Sequence, residues 1–178
     1  MGSRDRDALP VEFGPITAQN VGVLRVLNQV IFPVRYNDAF YTDIVSTPRE
    51  LSKYGCVNGM IVSSICCRVE TMPDGFDRVY IMTLGVLEPY RKHSLGELHS
   101  TEMFTISWRL HAGGALLESV LAHCERMKMD HIYLHVQTSN AAAIRFYERH
   151  GFHVTQTIYN YYRNISPPDC FILARSFG

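Results

Sequence analysis

The chain has 178 residues, 47% of them apolar, with 17 basic and 17 acidic side chains. That length and apolar content predict a single domain with a sizeable core. The balanced charge argues against a direct nucleic-acid partner or an anionic membrane surface, and no apolar run approaches the roughly 18 residues a membrane helix needs.

Taken in order, MGSRDRDALP is polar, lacks a signal-peptide core and makes a poor myristoylation context despite its Met-Gly start. The five cysteines show no CxxC pair or metal-ligand spacing. A reduced protein without a metal is expected, in the cytoplasm, with the nucleus as the alternative. VEFGPIT reads as a short first strand. Apolar residues from Val21 to Leu27 fall at helical spacing behind Asn20, a candidate N-cap. That helix should stop near Phe32, because Pro33 disfavours helical geometry in the residue before it. Asp38 to Val45 predicts a second helix. Met60 to Val69 and Arg78 to Leu87 are β-type runs separated by the turn chemistry of Met72-Pro73-Asp74-Gly75, so they should form a hairpin. Gly114 to Lys128 predicts a helix, His131 to Val136 a strand, and Asn140 to His150 a helix closed by Gly151 in left-handed conformation. Val154 to Tyr161 and Cys170 to Ser176 are the last strands. The whole predicts an α/β domain with a mixed, mostly antiparallel twisted sheet flanked by helices.

Tyr90-Arg91-Lys92-His93-Ser94-Leu95-Gly96 follows a strand and precedes a helix. It resembles the acetyl-CoA loop of the GNAT acetyltransferase superfamily, R/Q-x-x-G-x-G/A. Unpaired N–H groups and the helix dipole suit such a position to a pyrophosphate. LNQVIFPVRYNDAFY, YIMTLGVLEPYR, IYLHVQTSNAAAIRFYERHGF and NYYRN follow the order of one branch, the catalytic subunits of N-terminal acetyltransferase E. The resemblance runs from about Ile16 to Leu173. It implies the GNAT fold, acetyl-CoA as cosubstrate, and transfer of acetyl to the α-amine of proteins that begin with Met and an apolar residue. The implied partners are the N-terminal peptide, other acetyltransferase subunits and the ribosome. Lysine acetylation and a non-catalytic binding subunit are the alternatives.

Read without the resemblance, Tyr80 and His135 are strand residues among apolar neighbours, as ordinary core groups would be. With it, they become the pair that holds a water and takes the amine's proton, His135 being the better base by its reference pKa of about 6.5. The resemblance assigns Leu84, Val86, Arg91, Lys92, His93, Ser94, Leu95, Gly96, Gly114, Ala115, Asn140 and Tyr147 to acetyl-CoA. Asn140 also reads as a helix cap, and Tyr147 as the group that would protonate the leaving thiolate. Phe32, Pro33, Val34, Tyr36 and Met82 would form an apolar wall for the first side chain. Tyr161 and Tyr162 would lie on a hairpin that folds over the peptide. Cys66 and Cys67 read as small core residues.

Joining Gly96 to Gly114 gives YRKHSLGGALLESVL and leaves Glu97 to Gly113, 17 residues, as an insertion. A second alignment makes Arg109 to Gly114 the loop and puts the insertion before it. The segment equals 51 bases (17 × 3), and both ends can be encoded as splice signals, which suggests an unspliced intron. Deleting it is expected to preserve the fold and raise acetyl-CoA affinity.

Overall fold

The structure, a computed structural model, describes residues 11–90 and 112–178. In chain order the elements are β1 (Glu12–Pro15), α1 (Val21–Ile31), α2 (Asp38–Ser46), β2 (Lys53–Val57), β3 (Met60–Thr71) and β4 (Asp77–Val86). A 3-10 turn at Glu88–Tyr90 comes next, followed by α3 (Ala112–Arg126), β5 (His131–Gln137), α4 (Ala141–Arg149), β6 (His153–Ile158) and β7 (Cys170–Ser176). The strands form one sheet in the order β1-β2-β3-β4-β5-β7-β6. β4 and β5 are parallel, whereas β1–β2, β2–β3, β5–β7 and β6–β7 are antiparallel, so the sheet is mixed. The chain divides into two compact units, one built from residues 1–67 and 83–120, the other from 68–82 and 121–178.

In the first unit the core holds Leu24, Leu27, Ile44, Leu51, Tyr54, Ile65, Leu116 and Leu117. Full burial of such a side chain contributes roughly 1.5–3 kcal/mol. The start of α1 is fixed by the sheet. The Tyr54 hydroxyl accepts from the Leu24 N–H at 3.1 Å and donates to the Asn20 carbonyl at 2.9 Å. Asn20 precedes the helix as expected but makes no side-chain cap there; its Oδ1 instead accepts from the Thr17 N–H at 2.8 Å. α1 ends where Pro33 requires it, with the Phe32 N–H donating to the Asn28 carbonyl. Asn37 caps α2 by accepting from the Phe40 N–H at 3.0 Å, and Arg25 ties the two helices through Asp38 at 2.7 Å and the Tyr41 ring at 4.1 Å.

No strand was expected at β2, whose Lys53 and Gly55 are residue types that strands disfavour. The structure buries both. The Lys53 ammonium donates to Ser119 Oγ at 2.5 Å and sits over the Phe13 ring. A Cβ on Gly55 would fall 2.3 Å from Ser63 Oγ, so the strand needs glycine there. A second correction concerns α3, which begins at Ala112, inside the segment read as an insertion. Ala112 is 1% exposed and packs with Val57 and Val62, flanked by Val11, Val86 and Tyr90. The helix thus includes two residues before the predicted start at Gly114, and Glu97 to His111 lie outside the described residues.

The second unit has Val79, Ile132, Leu134, Val136, Tyr147, Phe152 and Leu173 in its core. Along β5 these apolar residues alternate with His131, Tyr133 and His135, which share the other face. Gly151 closes α4 at φ +83, as its position predicts. β6 ends at Ile158, short of the predicted Tyr161, because Asn160 turns the chain at φ +55 and accepts no ladder partner; its N–H donates to Asp169 Oδ1 instead.

Candidate active site

Parallel pairing of β4 with β5 runs Arg78↔His131, Val79↔Ile132 and Tyr80↔Tyr133, and both strands continue beyond it. Strand alternation then brings Tyr80 and His135 together: His135 Nδ1 lies 3.2 Å from the Tyr80 hydroxyl. Both side chains are half-buried. Tyr161 stacks flat on the His135 ring, with centroids 4.8 Å apart and planes 7° off parallel, and meets Tyr162 edge-on at 4.9 Å. The loop after β6 is thus drawn onto the pair, and the Tyr162 N–H anchors it by donating to the Pro168 carbonyl.

Burial holds the Tyr80 hydroxyl well above the usual tyrosine range, and the neighbouring Tyr161 and Tyr133 add to this. It is a proton donor at neutral pH and a poor base. Burial lowers the pKa of His135, partly opposed by the charge of Glu70, so the imidazole is neutral and able to accept a proton. When Nδ1–H donates to Tyr80, the lone pair of Nε2 is left for that proton.

Three residues that sequence reasoning passed over surround the pair. The Tyr133 ring lies 5.0 Å from Tyr80 and 6.2 Å from His135. Its hydroxyl donates to Glu70 Oε2 at 2.5 Å, and Arg68 meets Glu70 Oε1 at 2.6 Å while its guanidinium sits 5.1 Å over the Tyr80 ring. Strand alternation could have placed Tyr133 on the His135 face, but nothing local marks Glu70. An open hollow of about 440 Å³, lined by Glu70, Arg78, His131, Tyr133 and Ile172 among others, shares Tyr133 with the pair.

The remaining predicted residues fall as follows. Gly114 and Ala115 occupy the first turn of α3. Leu84 and Val86 are half-buried on β4. Asn140 caps α4, accepting from the Ala143 N–H at 3.1 Å. Tyr147 is 6% exposed, wedged edge-on against Phe146 and Phe152. In the first unit, Phe32 meets Tyr36 edge-on at 6.1 Å and Tyr36 stacks on Phe40 at 4.6 Å, giving the loop a rigid aromatic base. Pro33 and Val34 are exposed, and Met82, in the second unit, is half-buried. Arg91, Lys92, His93, Ser94, Leu95 and Gly96 lie outside the described residues. Cys66 and Cys67 are fully buried, and burial pushes the Cys66 thiol up to about 12, so it is a core residue rather than a nucleophile.

The acetyltransferase (GNAT) family matches residues 107–152. N-alpha-acetyltransferase 50 of Danio rerio is 42% identical over 167 residues, covering 93% of this chain and 88% of that protein. The chain belongs to the N-alpha-acetyltransferase 50 family. A second relative, the probable N-acetyltransferase san of Drosophila melanogaster, is 36% identical over 93% of this chain and 80% of its own. Arabidopsis thaliana Naa50, solved in complex with the bisubstrate analogue CoA-Ac-MVNAL, superposes with a TM-score of 0.78 at 42% identity, over 94% of this chain and 99% of that one. The NatC complex bound to Gag peptide and CoA, 20% identical with a TM-score of 0.75 over 94% and 99% of the two chains, shares the fold. The chain is accordingly an N-terminal acetyltransferase that uses acetyl-CoA.

Proposed function

We propose that this enzyme acetylates the α-amine of protein N-termini with His135 as base and Tyr80 as its partner. The observation that carries the assignment is the 3.2 Å contact between the two side chains, one a neutral imidazole and the other a phenol that keeps its proton. An α-amine has a pKa near 8 and is mostly protonated at neutral pH. His135 takes the surplus proton through water, and the amine nitrogen then attacks the thioester carbonyl carbon. The new C–N bond forms, the C–S bond breaks, and the departing thiolate takes up a proton, for which Tyr147 is the candidate donor. In the first unit Gly114 and Ala115 are the candidates for the phosphates of acetyl-CoA, and Leu84 and Val86 for its pantetheine arm; in the second, Asn140 is a candidate for the same arm.

In the first unit Phe32, Pro33, Val34 and Tyr36 form the apolar wall for an initiator Met followed by an apolar residue; in the second, Met82 is a candidate contact for the same side chain, and Tyr161 and Tyr162 for the peptide backbone. By likeness to the NatC and NatB acetyltransferase complexes, auxiliary subunits are proposed partners; the ribosome, in the cytoplasm, is proposed from the family resemblance alone. Lysine transfer is the competing substrate reading.

The test is acetyl transfer to two peptides, one Met-Leu-initiated with its lysines blocked, the other N-terminally blocked with a free lysine. The first should be acetylated and the second left almost untouched; the reverse would overturn the reading. His135→Ala and Tyr80→Phe should each lower kcat by about 10²–10⁴-fold while barely altering acetyl-CoA binding by titration calorimetry. Unchanged turnover in both would remove the pair from the mechanism.

A further inference from the structure

Around the acid–base pair is a second, closed set of contacts. β4, which carries Tyr80, lies between β3 and β5 in the sheet. From β3, Arg68 places its guanidinium over the Tyr80 ring, and from β5, Tyr133 packs its ring against the same tyrosine. One carboxylate holds both. Glu70 accepts from the Tyr133 hydroxyl through Oε2 and from Arg68 through Oε1. The Tyr133–Glu70 bond therefore bridges the two strands that flank β4.

We propose that Glu70 is a positioning residue for the reaction: it fixes Tyr133 and Arg68 on either side of Tyr80, and its carboxylate stabilises the positive charge that forms on His135 during proton transfer. This rests on the reading of His135 as the base. Tyr80 from β4, Tyr133 on its own strand and Tyr161 from the loop after β6 pack against the histidine, while His131 meets Tyr133, and Glu70 and Arg68 from β3 reach it behind Tyr133 and Tyr80. Of these, the Glu70 carboxylate favours the protonated imidazole. Burial tends to raise the pKa of Glu70, but the hydrogen bonds from Tyr133 and Arg68, with the charges of Arg68 and His135, outweigh it and keep the group ionised.

A merely structural Glu70 would affect activity without moving a proton equilibrium. The deciding measurement is therefore the His135 titration by NMR in the resting enzyme, alongside the pH profile of kcat/KM, for wild type, Glu70→Gln and Glu70→Asp. Glu70→Gln should move both the His135 titration and the acid limb of kcat/KM to lower pH by about half a unit or more, with a several-fold lower plateau. Glu70→Asp, which keeps the charge, should recover most of the shift. Tyr133→Phe should lower kcat with KM little changed, since it frees the carboxylate but leaves the ring against Tyr80. A His135 titration unchanged in Glu70→Gln, or equally displaced in Glu70→Asp, would overturn the proposal and leave the role of His135 standing. Full activity in His135→Ala would overturn both.

Discussion

Two deletions of equal length test what the start of α3 requires. Removing Glu97 to Gly113 joins Gly96 to Gly114, so Leu95 takes the place of Ala112. Removing Lys92 to Trp108 joins Arg91 to Arg109 and keeps Ala112. Each removes 17 residues and leaves 161. Ala112 is 1% exposed and enclosed by Val57 and Val62. Leucine brings three more carbons to that site, and overpacking of this kind costs about 1–3 kcal/mol. For a chain of this size the first deletion should melt roughly 2–12 °C below the second. Thermal and urea unfolding, with acetyl-CoA binding by calorimetry, would measure the difference. If the first deletion proves as stable as the second, the packing argument at Ala112 is wrong.

Further outcomes follow from single sites. Gly85→Ala would bring a Cβ within 3.0 Å of Ile31 Cδ1 and 3.1 Å of Phe32 Cζ. The ring should shift, eroding the proposed preference for Met-Leu over Ser-initiated peptides; wild-type selectivity in a competition assay would count against the Phe32 wall. Phe32→Ala should cost about 1–3 kcal/mol of that discrimination, roughly 10–200-fold, and equal wild-type rates on acidic-first and Met-Leu peptides would contradict the wall outright. Tyr161→Phe should keep near-normal kcat because the stack on His135 survives, whereas Tyr161→Ala should lower it about tenfold; equal losses would deny the stack a role. His135 has a lowered folded-state pKa, mainly through burial. Below its unfolded pKa of about 6.5 the unfolded chain binds the extra proton first, so stability should fall as pH drops from there and be restored above it. Urea unfolding between pH 5 and 8 should show His135→Gln with a weaker dependence over that window; an identical slope would exclude His135 as its source.

Elements with strong local signals were legible. Pro33 stops α1, Asn140 and Gly151 bracket α4, and alternation along β5 puts His135 and Tyr133 on one face. β2 was hidden because its acceptability depends on distant partners: Ser119 satisfies Lys53, and Ser63 crowds Gly55. The head of α3 was misplaced by two residues for a similar reason, since only the Val57 and Val62 pocket reveals why Ala112 belongs to the helix. The Tyr80–His135 pair was reached through the family pattern, whereas the Glu70 clamp depends on strands far apart in sequence, for which no spacing rule exists.

The helix that leads into the loop bearing Phe32 is secured at its opposite end, by a hydroxyl from β2. At about 1.5 Å per residue, Leu24 lies some 12 Å from Phe32, and the intervening turns transmit the anchor rigidly. α2 then begins under its own Asn37 cap. Residues 33–36 are thus a short exchangeable cassette between two helices, each fixed at its own start and joined to the other by Arg25. Grafting alternative sequences there offers a route to new amino-terminal specificities without rebuilding the scaffold, provided the anchoring tyrosine at position 54 is left in place.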